Sequence, residues 1–181
     1  MLNDHDAAAL LEIAREAIIK GVKQQLYSPS PREEKALNQK SGCFVTIKQN
    51  NMLRGCIGNF QARQPLFREV GEMAKASACQ DPRFPPMAVV DLANFKLEIT
   101  VLSPLQKIDD TELIQVGEHG IYIEKGLNRG VLLPQVATEQ GWDRKTFLEQ
   151  TCRKAGLPAE AWQSPDADIY LFSGQLITEK D

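Results

Sequence analysis

The sequence predicts an α+β fold in which helices pack on a largely antiparallel sheet. Its strand-like segments come as pairs joined by short turns, and helical segments stand between some of these pairs. A doubly wound parallel sheet would instead alternate single strands with helices. The length of 181 residues suits one domain, or two small lobes that share a core.

The first predicted element is a helix that begins with Asp4 or Asp6 as its N-cap and runs to about Leu26. Its apolar residues recur at helical spacing and form one stripe, which consists of Leu10, Ile13, Ala14, Ala17, Ile18 and Val22. Pro29 and Pro31 stop this helix, and the polar stretch around them predicts a loop.

A β-hairpin is predicted next, in SGCFVTIKQNNMLRGCIGNF. Residues that favour strands fill Phe44 to Lys48, and Gln49-Asn50-Asn51 suits a turn. Side chains alternate between the two faces of a strand. Strict alternation therefore predicts two sets on the second strand: Leu53, Gly55 and Ile57 on one face, and Arg54, Cys56 and Gly58 on the other.

The remaining elements follow from the same signals. QPLFREVGEMAKASACQ predicts a helix with Pro65 in its first turn, and NFKLEITVLSP alternates as a strand. A short helix is expected from Glu112 to Val116, and HGIYIEKGLNRGVLLP predicts a hairpin that turns between Gly126 and Gly130. PQVATEQG and DRKTFLEQTCRKAG predict two more helices, and DIYLFSGQLIT predicts one last strand.

Composition argues against several classes of partner and cofactor. The net charge of -3 and the scattered basic residues give no reason to expect a nucleic acid or an anionic membrane. The chain starts with acidic residues and has no long apolar run, so we expect a cytoplasmic protein with four reduced cysteines. There is no CxxC pair and there are only two histidines, so neither a metal nor another cofactor is expected.

The strand LRGCIG carries the candidate site. Two glycines leave backbone uncovered, which lets a ligand or another strand approach Gly55 and Gly58 closely. A guanidinium on the face of the thiol would favour the thiolate of Cys56, and Arg54 also offers donors for a carboxylate or a phosphate. The alternative is structural, because strand glycines also mark bulges or tight packing and a small cysteine is ordinary core material.

Two further segments add candidate residues. His119 in GEHGI is of the type that serves as a general base near neutral pH, although a histidine in a surface turn is the more ordinary interpretation of this segment. DPRFPP fixes Asp81 and Arg83 on a loop stiffened by three prolines, where they bind a substrate or simply hold the loop as an ion pair. The other three cysteines are expected to be core residues: Cys43, Cys79 and Cys152.

Five segments in this order resemble the AMMECR domain family of the AmmeMemoRadiSam system, and they are GCFVTI, LRGCIGNF, DPRFPP, EHGIYI and LLPQVATEQGWD. The resemblance runs from about Ala7 to Ile177. It implies an α+β fold of two interlocked lobes around a cleft, and it implies partners of two kinds, a Memo-like protein and a radical S-adenosylmethionine enzyme. The positions that it places in the site are Arg54, Gly55, Cys56, Gly58, His119, Asp81 and Arg83.

Two functions are compatible with these residues. In the first, the protein is an enzyme or an enzyme component that acts on a small or peptide substrate, with Cys56 as nucleophile, His119 as base and Arg54 as anchor for an acidic group. In the second, it is a non-catalytic adaptor that presents a substrate to the Memo-like and radical enzymes, and the glycine strand is a docking surface.

Overall fold

A computed structural model describes residues 2–179 and confirms the α+β prediction. The chain forms two compact units, unit 1 with Met1–Leu102 and Gln175–Asp181, and unit 2 with Ser103–Gly174. The regular elements are α1 (Asp4–Val22), β1 (Cys43–Gln49), β2 (Met52–Asn59), α2 (Leu66–Cys79), β3 (Lys96–Leu102), β4 (Gln106–Ile108), β5 (Gly120–Lys125), β6 (Asn128–Leu132), α3 (Pro134–Glu139), α4 (Arg144–Lys154), β7 (Asp168–Phe172) and β8 (Gly174–Thr178).

Unit 1 packs two helices on a four-stranded sheet with the order β2-β1-β3-β8. The apolar stripe of α1 and the inward residues of β1 and β3 are removed from water together, which is the main favourable term in folding. Fully buried members of this core include Leu10, Ile13, Ile18, Val45, Ile47, Val70, Leu97 and Ile99.

The bounds of α1 differ from the prediction at both ends. Asn3 is the N-cap, because its side chain accepts a hydrogen bond from the backbone N–H of Asp6, so the predicted aspartate caps are wrong. The helix ends at Val22, and Gln24 follows in the left-handed region with φ 55. The prolines at 29 and 31 therefore stand beyond the end of the helix and do not cause it.

The β1–β2 hairpin turns where the sequence predicts, but its second strand contains a bulge. Asn50 and Asn51 have φ 50 and 61, the conformation that a tight two-residue hairpin turn requires. Lys48 pairs with Leu53 whereas Ile47 pairs with Gly55, so an extra residue is inserted between them. Alternation holds from Gly55 onward, and the predicted placement of Leu53 on the face of Gly55 is wrong.

Unit 2 is a second antiparallel sheet with the order β4-β7-β5-β6, accompanied by α3 and α4. Its core contains Ile121, Ile123, Ala137, Phe147, Leu148, Ile169 and Leu171. The last predicted strand is in fact two strands in different sheets, because β7 pairs in unit 2 and β8 lies at the edge of the sheet in unit 1. The predicted helix at 112–116 is a 3-10 turn over Thr111–Leu113.

Three short elements have no counterpart in the prediction, namely β4 and two 3-10 helices, over Val89–Ala93 and Ala159–Gln163. Three to five residues are too few to show a period, so pattern analysis passes over them. Within residues 2–179, no helix combines the length and the apolar character needed to cross a bilayer.

Candidate functional site

Gly55 faces α2 and is buried there. A Cβ atom at this position would lie 2.2 Å from the backbone oxygen of Ser77, a distance that side chains do not reach. At Gly58 a Cβ would lie 2.3 Å from the Cys43 oxygen and 2.4 Å from the ring of Phe44. Protein atoms occupy the space above both glycines, which supports the packing interpretation. Direct contact of either glycine with a substrate stays a prediction.

Cys56 lies half-buried opposite Thr46, its cross-strand neighbour on β1. The hydroxyl of Thr46 donates to the Cys56 sulfur at 3.2 Å. The backbone of Cys56 is held from the DPRFPP loop, because its N–H donates to Asp81 Oδ2 at 2.8 Å and its oxygen accepts from Arg83 Nη2 at 3.1 Å. The loop therefore fixes the backbone of the thiol-bearing residue at two points.

Asp81 is the centre of this arrangement, with a side chain that is only 2% exposed. Its carboxylate accepts from the Cys56 N–H and from three donors of Arg83, which are the backbone N–H at 3.1 Å, Nε at 3.0 Å and Nη2 at 2.7 Å. The side-chain bonds from Arg83, followed by the backbone donors, hold the pKa of Asp81 well below its usual range. The predicted pairing of these two residues is present, and it links the loop to β2.

Arg83 is the cation that is bonded to the backbone of Cys56. Its side chain is 54% exposed although it is bonded to Asp81. The pKa of Arg83 is raised, first by the hydrogen bonds that Arg83 donates to the Asp81 carboxylate and in smaller part by Cys56. Arg83 therefore presents an accessible guanidinium beside the residue that carries the half-buried thiol.

Arg54 is the extra residue of the bulge, so strict alternation does not fix its face. Its guanidinium donates to the Pro85 oxygen at 2.8 Å and to Asp91 Oδ2 at 3.3 Å, and only 15% of its side chain is exposed. Asp91 also accepts from the Ala88 N–H at 2.8 Å, which is the main reason why the pKa of Asp91 is lowered. Arg54 thus holds the segment that follows DPRFPP against the hairpin. A contact with substrate stays a prediction.

The remaining cysteines have the settings of inert thiols. Cys43 and Cys152 are buried, as the sequence predicts, and Cys79 is half-buried against the core of unit 1. Burial is the first cause that raises the pKa of all three. At neutral pH these three thiols stay protonated, so Cys56 is the candidate nucleophile of the chain.

His119 lies in unit 2, in the turn before β5. Its Nδ1 accepts a hydrogen bond from the backbone N–H of Gln115 at 3.2 Å. Nδ1 is occupied by this bond, and Nε2 is the ring nitrogen left for other contacts. The geometry of the turn therefore favours a hydrogen-bonding role, and the predicted pairing of His119 with Cys56 stays a prediction.

Two residues that position the site have no signal in the sequence. Thr46 reads as an ordinary strand residue, and Ser77 as an ordinary helical one. The buried hydroxyl of Ser77 accepts from the Ile57 N–H at 2.9 Å and lies 2.8 Å from the Val45 oxygen. Asp81 and Arg83 bond to the backbone of Cys56, and Ser77 bonds to the backbone N–H of Ile57. Because these backbone groups of β2 are already hydrogen-bonded, a partner strand cannot pair with β2 at this point.

A cavity of about 810 Å³ lies elsewhere in unit 1, among α1, the start of β3 and β8. None of the predicted site residues within residues 2–179 lines it. Its arginine, Arg15, is engaged by Glu179 through two hydrogen bonds of 2.8 Å and stacks on Phe95. Size alone would make this cavity the default ligand site, but its lining includes no cysteine or histidine.

Comparison with known proteins identifies the family. Residues 11–177 match the AMMECR1 family model. Protein NEQ441 of Nanoarchaeum equitans is 41% identical over 177 residues, which cover 94% of this chain and 98% of that protein. Protein MK0488 of Methanopyrus kandleri is 40% identical over 185 residues, which cover 95% and 87% respectively.

A solved structure supports the same relation. The crystal structure of the uncharacterized protein PH0010 from Pyrococcus horikoshii aligns with a TM-score of 0.82 and 36% identity, over 97% of this chain and 92% of that chain. Agreement in fold and in sequence over nearly the whole length leaves no large part of the chain outside the relation. The chain belongs to the AMMECR1 family.

Proposed function

We propose that the protein is an enzyme or an enzyme component that acts through the thiol of Cys56 on a small or peptide substrate with an anionic group. The observation that carries this proposal is the setting of the sulfur. It is half-buried and accepts a hydrogen bond from Thr46, and the accessible guanidinium of Arg83 is bonded to the backbone oxygen of the same residue. The family resemblance implies a site on the same strand and loop, which supports the proposal.

Each neighbour has a separate task in this proposal. Arg83 binds the anionic group of the substrate with the donors that Asp81 and the Cys56 backbone leave free. Thr46 orients the sulfur, because a hydrogen bond to a charged acceptor is stronger and more directional than one to a neutral thiol. Asp81 is a positioning residue that fixes Arg83 and the backbone of Cys56 together.

Alkylation of the folded protein tests the nucleophile. Iodoacetamide labelling, read by peptide mass, should modify Cys56 before the other three cysteines, because thiolate is the species that alkylates. Arg83→Ala should slow this labelling more than Arg54→Ala does, and Arg63→Ala, an exposed arginine of the same unit, is the control. His119→Ala slows labelling only if the imidazole acts on the thiol. Equal labelling rates at Cys56 and Cys79 would contradict the proposal.

A second candidate function is the adaptor, and one observation favours it. Large apolar side chains are exposed at the tip of the hairpin, Met52 and Leu53, and on the 3-10 helix that Arg54 ties to it, Val89 and Val90. Such a surface fits a protein partner. The family resemblance implies the Memo-like protein and the radical S-adenosylmethionine enzyme as the candidates.

Co-purification separates the two functions. An adaptor should recover one of these partners from a common expression host, and Val90→Ser should reduce the recovery whereas Cys56→Ser should not. An enzyme should lose its turnover with Cys56→Ser while any complex persists. If Val90→Ser does not change how much partner is recovered, the exposed apolar surface is not the docking site.

A further inference from the structure

Two cavities of unit 1 meet at the start of β3. The larger is the cavity of about 810 Å³ among α1, β3 and β8, and the smaller has a volume of about 90 Å³. Asn94 and Lys96 line both of them, so the two spaces are neighbours and one ligand can occupy both. Cys56 and Arg83 line neither cavity, so this pair of cavities is separate from the thiol site.

The wall of the larger cavity is mostly apolar. Its large apolar members and the alanine beside them are Leu2, Ala7, Leu11, Phe95, Leu176 and Ile177. Leu176 is 60% exposed, so a ligand in the cavity would remove apolar surface from water. Arg15 and Glu179 are bonded to each other, so neither charge requires an ionic group of the ligand. The cavity has the volume of sites for small organic molecules and suits an apolar body.

Hydrogen bonds hold this wall in place. The side-chain amide of Gln175, on β8, accepts from the Leu2 N–H at 2.7 Å and donates to the Leu2 oxygen at 2.9 Å. Arg15 on α1 donates to the Phe95 oxygen at 3.1 Å in addition to its bonds with Glu179. The first residues, α1, β8 and the start of β3 are thereby tied together. A preformed cavity lowers the ordering cost of binding.

The smaller cavity has a cationic and amide lining. Among the residues that the structure describes, it is lined by two lysines and three asparagines and by no acidic side chain, namely Lys48, Lys96, Asn50, Asn51 and Asn94. Lys48 and Lys96 are directly opposite each other on β1 and β3, and like charges in that position repel. Glu98 accepts from Lys48 at 2.5 Å but does not line the cavity. An anionic group between the lysines would relieve the repulsion.

We propose that the two cavities together bind an amphipathic anion. Its apolar body lies in the larger cavity, and its carboxylate or phosphate group lies in the smaller one, near Lys48 and Lys96. Lysine binds either anion as a point charge, and the asparagine amides add hydrogen-bond donors. The volume of about 90 Å³ is well above that which one water molecule needs, so it has room for such a head group.

Isothermal titration calorimetry with octanoate tests this site. We expect one saturable site per chain. Acetate keeps the carboxylate but lacks the apolar chain, so it should bind at least about a hundredfold more weakly. Octanol keeps the chain but lacks the charge, so it should bind about tenfold more weakly or worse. Octyl phosphate, titrated in parallel, distinguishes the two head groups, and the tighter ligand identifies the preferred one.

Variants separate the two parts of the site. Lys48→Gln and Lys96→Gln should each weaken octanoate about tenfold and leave octanol within about twofold, because only the anion uses the charges. Lys40→Gln, an exposed lysine of the same unit, is the control. Ala8→Phe fills the larger cavity from an exposed position of α1 and should weaken both ligands, whereas His5→Phe, exposed on the same helix and outside the lining, should weaken neither.

Circular dichroism confirms that each variant is folded, and the lysine variants test the site even if Ala8→Phe does not fold. Absence of saturable binding of both octanoate and octyl phosphate up to about 5 mM would overturn the proposal. Equal binding of octanoate by Lys96→Gln and Lys40→Gln, or equal affinity of the wild type for octanoate and octanol, would also overturn it.

Discussion

Replacement of Gly55 by alanine should destabilise the protein through steric contact between β2 and α2. The added Cβ would lie 2.2 Å from the Ser77 backbone oxygen, whereas an ordinary contact is about 1 Å longer. The partner atom belongs to a helix backbone, so the strand and the helix must separate. That movement stretches the 2.9 Å bond from the Ile57 N–H to the Ser77 hydroxyl.

The expected loss is about 3 kcal/mol. Overpacking of a tight contact costs about 1–3 kcal/mol, and the loss of a buried hydrogen bond adds about 1 kcal/mol. Alanine restricts the unfolded chain, which offsets roughly 0.5 kcal/mol of this. For a chain of this size, a loss of about 3 kcal/mol lowers the melting temperature by roughly 6–12 °C.

Far-ultraviolet circular dichroism is the appropriate assay, because Trp142 and Trp162 both lie in unit 2 and fluorescence would report on that unit. Gly71→Ala is the matched control. This glycine is inside α2, and a Cβ there would meet Ile13 at an ordinary 3.5 Å. Gly71→Ala should be neutral or stabilising, as expected for an unstrained helical position. If Gly55→Ala has the same melting temperature as the wild type, the packing explanation of this glycine is wrong.

Three other substitutions test the contacts around the thiol. Asp81→Asn should reduce the free energy of unfolding by about 2 kcal/mol at neutral pH. Because the folded pKa of Asp81 is lowered, the wild-type advantage is complete above about pH 4–5 and narrows as the pH falls further, which urea titrations at several pH values would show. Ser77→Ala should cost about 1–3 kcal/mol because the Ile57 N–H loses its acceptor, and a cost within error of zero would contradict this. Arg54→Ala should release the segment tied through Asp91, so limited proteolysis should cut residues 85–91 sooner than in wild type, and an unchanged cleavage pattern would refute that role.

Strong local signals are the part of the fold that can be predicted from the sequence. The α1 stripe, the clean alternation of β3 and the Asn50-Asn51 turn each depend on neighbours within a few residues, and each appears in the structure. The bounds are less accurate where two local choices compete. Asn3 and the two aspartates after it are all good caps, and only the hydrogen bond to the Asp6 N–H decides between them.

The candidate site likewise has a part that the sequence predicts and a part that it does not. The sequence places Cys56 beside two glycines on a strand and places Asp81 and Arg83 on a stiff loop. It does not show that Arg83 bonds to the Cys56 backbone whereas Arg54 is tied to Pro85 and Asp91, because these contacts join separate segments of the chain. Thr46 and Ser77 are equally invisible, since nothing in their local sequence differs from ordinary strand and helix residues.

By itself, the sequence determined the types of the main elements, the α+β class and the family, because propensity, periodicity and motif order are properties of neighbouring residues. Only the tertiary structure decided what meets over long separations. It divided 168–178 between two sheets, set Ser77 against Gly55, and brought Leu2 to β8. Such contacts depend on how separate elements pack and pair, and no pattern within one segment records the position of another.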